Sequence, residues 1–283
     1  MATFYNQAVL SYNGNTTTSN ITTGEIVQVL SATKTAVTED YSAGDTVTYV
    51  VNIINSGAVA YTGLTLTDNL GAYAFDALTL TPLTYIDDSL RYFENGILRP
   101  TPIVTDEEPL TITGINVPAG GNTTIVYETR INGFAPLEAG AVITNQATVS
   151  GLNISPITVE ETVTSSSEPR LTISKSLSPA TVTENGRLTY TFVIQNTGSA
   201  PAVATDNLVV TDTFNPILSG ITVTAGGETW VEGVNYTYDE ARGLFATVAG
   251  QITVPAATYT RDLATGAVVV NPGVTVLTVT GTV

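Results

Sequence analysis

The chain has 283 residues, of which 12% are charged and 43% hydrophobic, and a formal net charge of −16. That balance excludes the basic footprint of a nucleic-acid binder and repels an anionic membrane surface. Having no cysteine and no histidine, the chain also lacks disulfides, thiolate metal sites and the commonest general base.

The length admits two ordinary domains. Polarity comes mainly from Thr, Ser and Asn, with 24 Gly and 13 Pro as punctuation, a composition suited to pleated strands and turns. At the start, no basic region leads into an apolar run, so no signal peptide is expected. No apolar run is long enough to span a bilayer, so membrane insertion is not expected either. Phe4, Asn6, Ala8, Leu10 and Tyr12 alternate onto one face of a first strand. Val47, Tyr49, Val51 and Ile53 form another such face, followed by Leu64, Leu66, Asp68 and Leu70. Leu188, Tyr190, Phe192 and Ile194 repeat the pattern, as do Leu277, Val279, Gly281 and Val283 at the end. Asn55-Ser56-Gly57 and Asn196-Thr197-Gly198 read as turns. No amphipathic helical segment stands out. The expected fold is all-β, a sandwich or barrel in each half.

An internal repeat organises these strands. Lys34 and Lys175, Tyr49 and Tyr190, and Asn55 and Asn196 each lie 141 residues apart. Thr67-Asp68 matches Thr211-Asp212 at 144, and Asn6-Gln7-Ala8 matches Asn145-Gln146-Ala147 at 139. The frame gives an N-terminal strand segment (1–24), a complete first sandwich (25–165) and a second sandwich (166–283) that lacks its last strand. The polar stretch Ser165-Ser166-Ser167-Glu168-Pro169 reads as the linker. The strand Thr278 to Val283 resembles Thr124 to Ile131, after which the first copy continues to its Asn-Gln-Ala strand and the second stops.

Proteins rarely leave such an edge bare. The spare strand at residues 4–12 has the pattern to fill it, by strand addition from one subunit to the next. That contact is head-to-tail and builds a homopolymer unless it closes into a ring. Closure within one chain is the rival arrangement and requires the two domains to fold side by side. Burial of Phe4, Leu10 and Tyr12 contributes roughly 1.5–3 kcal/mol each, against an association cost on the order of 4–15 kcal/mol. Ladder hydrogen bonds or something stronger must therefore contribute.

The only two lysines, Lys34 and Lys175, occupy equivalent positions on inward faces. Asp68 and Asp212 sit on apolar faces, as do Asn145 and Asn6. One chemistry for these trios is a buried Lys–Asp ion pair with an Asn hydrogen bond. The other is an isopeptide bond, Lys34 to Asn145 within the chain and Lys175 to Asn6 between chains, with Asp68 and Asp212 as proton shuttles. Arginine could not replace lysine in the second. Neither chemistry needs a cofactor.

The string LTISKSLSPATVTENGRLTYTFVIQNTGSAPAVATDNLVVTDTF, with ITNQATVS, resembles the bacterial surface-protein repeat called domain of unknown function 11. The pattern is a Lys strand, a Tyr strand ending in N-[ST]-G, then V-T-D, then a strand with N-x-A. In the first copy, TVTYVVNIINSG and LTLTDNL fit, and SATKTAV is a looser Lys strand. The resemblance implies two tandem immunoglobulin-like sandwiches in an extracellular protein of a bacterial cell or spore surface, similar to clostridial spore-appendage proteins. A chain without a signal peptide suits the spore.

The remaining features read as ordinary. The sequons at Asn15, Asn20, Asn122, Asn153 and Asn235 are chance matches in a Thr-rich chain. Trp230, Tyr236 and Tyr238 form either a ligand patch or strand packing. Asp87-Asp88 and Asp106-Glu107-Glu108 are solvated turns. No D-x-D-x-D-G loop or catalytic carboxylate motif is present, so no metal site and no turnover enzyme is expected. A fibre subunit is the leading function, and a monomeric or wall-associated adhesin or stalk module is the alternative.

Overall fold

The computed structural model describes residues 2–26, 28–152 and 154–283. It is an all-β chain of two tandem immunoglobulin-like sandwiches, with 28 strands among the described residues, numbered here in chain order. Among those residues, no helix is long and apolar enough to cross a membrane.

The N-terminal segment stands apart from both cores. β1 (Ala2–Asn6) pairs with β4 (Thr22–Ile26), and β2 (Val9–Tyr12) pairs with β3 (Asn15–Thr18) around an Asn13-Gly14 turn. The strand expected over residues 4–12 is thus interrupted at Gln7-Ala8. Phe4, Leu10 and Tyr12 are all exposed, because nothing covers this hairpin.

In the first sandwich, one sheet runs β13 (Ile97–Arg99), β12 (Arg91–Glu94), β16 (Asn122–Ile131), β7 (Thr46–Asn55) and β5 (Leu30–Ala36), with β11 (Leu83–Tyr85) also on β16. The facing sheet runs β14 (Ile103–Glu107), β15 (Leu110–Val117), β8 (Tyr61–Asp68), β17 (Val142–Ser150), β18 (Ile157–Ser165) and β6 (Asp40–Tyr41). A short hairpin joins β9 (Tyr73–Phe75) to β10 (Leu78–Leu80). The period-two alternation places Val47, Tyr49, Val51 and Ile53 of β7, with Leu64 and Leu66 of β8, inside one core.

The second sandwich repeats this order. Its first sheet is β23 (Glu228–Thr229), β22 (Ser219–Ala225), β28 (Gly273–Thr282), β20 (Arg187–Asn196) and β19 (Leu171–Ser178), in the order of β13, β12, β16, β7 and β5 but with no separate counterpart of β11. Its second sheet is only β24 (Tyr236–Asp239), β25 (Leu244–Thr247) and β21 (Thr211–Thr213), the counterparts of β14, β15 and β8. Where β17 and β18 follow in the first copy, no described strand follows here. The sequence frame leaves one strand of the first copy without a counterpart; the sheet order leaves two long ones, β17 and β18, without a described counterpart.

Two local findings differ from the sequence reading. Ser165 ends β18 and is buried, its hydroxyl donating to Leu137 O at 3.1 Å, so the polar linker starts one residue later. Asp106 and Glu107 lie in β14, leaving only Glu108 in the turn, although all three are exposed. A hairpin of the second half, β26 (Thr258–Arg261) with β27 (Val268–Asn271), packs Tyr259, Val268 and Val270 against the first core.

Each N-[ST]-G turn is fixed by its buried Asn. Asn196 Oδ1 accepts the amides of Gly198 and Arg170, both at 2.9 Å, and its Nδ2 donates to Ala200 O at 2.7 Å and Pro255 O at 3.0 Å. Asn55 holds Gly57, Val59 and Pro118 in the same way. A Cβ on Gly198 would lie 2.2 Å from Glu168 O, so glycine is required there. Replacing Asn196 by Ala strands several buried backbone groups. In urea titration Asn196→Ala should destabilise the second sandwich by about 1–3 kcal/mol and leave the first unchanged.

Candidate functional site

Three strands bring one lysine, one aspartate and one asparagine together inside the first sandwich. Lys34 lies on β5 opposite Val51, and Asp68 ends β8 opposite Ala147 of β17, two residues from Asn145. Lys34 Nζ donates to Asp68 Oδ2 at 2.6 Å and to the backbone oxygen of Asn145 at 3.0 Å. The side chains of the pair have 0% of their surface exposed. Asp68 Oδ2 also accepts the Tyr127 hydroxyl, and Oδ1 accepts the Leu70 amide at 2.8 Å. The lysine nitrogen stands 4.6 Å over the Tyr49 ring, which stacks on Tyr127 at 5.8 Å.

Burial drives the electrostatics of this site. It lowers the Lys34 pKa to about 8, opposed by the charges of Asp68 and, further out, Glu161. It pushes the Tyr127 phenol well up, reinforced by Asp68, and pushes Tyr49 up against the opposing effect of the Asn145 amide beside it. Glu161 is half-buried on β18, directly opposite Asn145.

The Asn145 side chain is fully buried. Its Oδ1 accepts the Gly71 amide at 3.2 Å, and its Nδ2 has no hydrogen-bond partner among the described residues. Gly71 has φ +71, and a Cβ there would meet Ile143 at 2.6 Å, so only glycine brings its N–H to this point. An amine of weakened basicity, a carboxylate able to take its proton and an amide whose oxygen already faces a donor occupy one apolar pocket. These are the parts that exchange of an amide nitrogen requires.

The second sandwich holds the same pair in an open site. Lys175 and Asp212 are ion-paired, with 38% and 17% of their side-chain surfaces exposed. Lys175 Nζ lies 4.2 Å over the ring of Tyr190, the counterpart of Tyr49. The inward, buried Lys175 expected from the sequence is therefore half open, because no described strand takes the places of β17 and β18 over it. Asn6 is exposed on β1 opposite Thr22, so the chain does not bring it to Lys175. The place of Tyr127 is taken by Val279, opposite Tyr190 in the ladder.

Sequence reasoning missed Tyr127, Gly71 and Glu161. Tyr127 shares the alternating buried face of β16 with Ile125 and Thr129, but only the folded sheets show that its hydroxyl reaches Asp68. Elsewhere, Trp230 and Tyr238 pack against the second core and Tyr236 is buried within it, the packing reading rather than the ligand patch. Asp87-Asp88 forms an exposed turn. The Asn153 sequon lies outside the described residues.

No family model matches the chain, and no curated protein matches it. Solved structures with similar folds include the major pilin subunit BcpA of Bacillus cereus, at 12% identity over 94% of this chain and 70% of that one, TM-score 0.37. The pilus backbone RrgB of Streptococcus pneumoniae aligns at 12% identity over 86% of this chain, which spans 55% of that one, TM-score 0.36. The collagen-binding domain of a Staphylococcus aureus adhesin aligns at 13% identity over 50% of this chain and 99% of that one, TM-score 0.32.

Removing one member of the buried pair leaves an uncompensated charge. Asp68→Ala should cost about 3–5 kcal/mol of first-sandwich stability in denaturant titration. The pH response has a definite sign. With a folded pKa of about 8 for Lys34 and an unfolded value near 10.4, the unfolded chain binds more protons between them, so stability rises with pH. In Asn145→Ala, which keeps the ion pair, the first sandwich should gain about 1–3 kcal/mol from pH 8 to 10. Adding Lys34→Met should abolish that gain.

Proposed function

We propose that this chain is the structural subunit of a bacterial surface fibre, polymerising head-to-tail by insertion of its N-terminal segment into the second sandwich of the next subunit. The observation that carries this reading is the contrast between the two copies. The Lys34–Asp68 site is sealed by β17, whereas the equivalent Lys175–Asp212 site is open, and the sequence that repeats β17 lies exposed at the other end of the chain. An apolar groove of about 180 Å³, lined by Leu171, Ile173, Ile194 and Leu208 to Val210, runs along the unpaired side of the acceptor. The register of β8 on β17 carries over directly: Ala8 of the incoming strand stands opposite Asp212, and Leu10 opposite Val210.

Each completed site forms a Lys–Asn isopeptide bond in this reading. The Lys34 ammonium passes a proton to Asp68, and the neutral amine attacks Asn145 Cγ. Charge builds on Oδ1, held by the Gly71 N–H. Asp68 protonates Nδ2 and takes a proton from the attacking nitrogen. The Cγ–Nδ2 bond breaks, and the departing ammonia finally carries off the proton from Asp68 as ammonium. Lys175, Asp212 and the Asn6 of a neighbouring subunit do the same between chains, which makes the fibre covalent. The resemblance to domain of unknown function 11 supports a cell-surface or spore-surface location. In the alternative reading the chain is a monomeric adhesin or stalk module.

Intact-mass spectrometry tests the first bond: the monomer should be lighter than its sequence mass by one ammonia. Boiled denaturing gels should show a ladder that Lys175→Ala and Asn6→Ala abolish and Lys34→Ala does not. Filaments should be visible by electron microscopy. Sequence mass, a single monomer band and a discrete monomer in light scattering would together overturn the proposal.

A further inference from the structure

Among the described residues the second sheet of the acceptor has no counterparts of β17 and β18, and the segment offered to it is a hairpin. We propose that the element passed between subunits is two-stranded: residues 4–12 take the place of β17, and residues 21–26 take the place of β18 with Ile21, Thr23 and Glu25 facing inward. This rests on the head-to-tail reading above and specifies its second strand.

Three observations carry it. First, β18 packs across from β5 in the first sandwich, where Leu30 is 5% exposed. The equivalent strand of the acceptor, β19, is exposed along its whole length, including Leu171, Ile173 and Leu177. A single strand in the β17 position restores the ladder to β21 but supplies no counterpart of β18, leaving this apolar strip bare and the new strand as a free edge.

Second, the sequence beyond residue 12 repeats β18. Ile21-Thr22-Thr23-Gly24-Glu25-Ile26-Val27 matches Ile157-Thr158-Val159-Glu160-Glu161-Thr162-Val163 at Ile, Thr, Glu and Val. This puts Glu25 where Glu161 stands, opposite the site asparagine. It also puts Leu10 opposite Ile21, as Val149 stands opposite Ile157.

Third, the free hairpin is paired differently. In it Asn6 stands opposite Thr22 and Phe4 opposite Gly24, and Ile21 is 60% exposed. Its present pairing would turn Thr22 and Gly24 toward the acceptor with Asn6 and Phe4. The matched pairing slides the second strand by three residues and turns Ile21, Thr23 and Glu25 inward instead, since successive residues point to opposite faces. The apolar strip on β19 favours the face that carries Ile21.

The full chain carrying Ile21→Asp or Thr22→Asp tests this, with the rate of covalent ladder formation on denaturing gels as readout. Both substitutions lie outside the two sandwich cores, so both chains should fold. Ile21→Asp should slow the ladder about tenfold or more, because an unpaired carboxylate would be buried, and Thr22→Asp should leave the rate within about twofold because its side chain would face solvent. Equal, unchanged rates would overturn the second strand and leave a single donated strand. Slowing by Thr22→Asp alone would overturn the inward face assigned here. Absence of any ladder in the unsubstituted chain would instead overturn the head-to-tail reading itself. Hydrogen exchange in filaments should show residues 171–178 newly protected; exchange there as fast as in unassembled monomer would also overturn the hairpin.

Discussion

An ammonium and a carboxylate held together inside an apolar sandwich constrain the rest of this molecule. Desolvating either charge alone is costly, and the Lys34–Asp68 pair is tolerable only because every side of it is furnished. Tyr127 and the Leu70 amide satisfy the carboxylate, the Tyr49 ring and the Asn145 carbonyl face the ammonium, and β17 with β18 keeps water out. The strand that seals the pocket also supplies Asn145. Covering the charges and presenting the amide are thus one structural event.

The second sandwich shows what the same pair looks like without that event. Its first sheet is complete, its core holds Phe192, Phe214 and Phe245, and its lysine stands over the Tyr190 ring. No described strand covers it as β17 and β18 cover the first site, and the exposure of Lys175 and Asp212 follows directly. The two sites are also not chemically identical: Val279 stands where Tyr127 would be, so the phenol that donates to Asp68 has no counterpart on β28. Asp212 has fewer partners to stabilise its charge, Lys175 and the Thr213 amide.

Much of this was legible in the amino-acid order. Period-two alternation fixed which faces of β7, β8, β20 and β28 are buried, because side chains on a strand have only two directions to choose from. The N-[ST]-G turns were legible because an Asn side chain can satisfy backbone groups only in a few local geometries. The repeat spacing paired Lys34 with Lys175 and Asp68 with Asp212 before any contact was known. Less legible was the N-terminal segment, where the alternation from Phe4 to Tyr12 is one pattern but the free chain breaks it at Gln7-Ala8. Without a sheet to lie on, a strand pattern settles for the nearest local partner.

The sequence by itself determined the all-β class, the duplication, the two lysines with their acidic partners, and a second copy of the Asn-Gln-Ala motif at the start of the chain. These rest on local periodicity and on comparison of the chain with itself. Only the tertiary structure decided that β17 and β18 have no described counterparts in the second sheet, that Tyr127 and Gly71 complete the first site, and that Lys175 is left open while Lys34 is sealed. Those facts depend on which strands lie side by side across long separations, and burial is a property of neighbours that no single stretch of sequence contains.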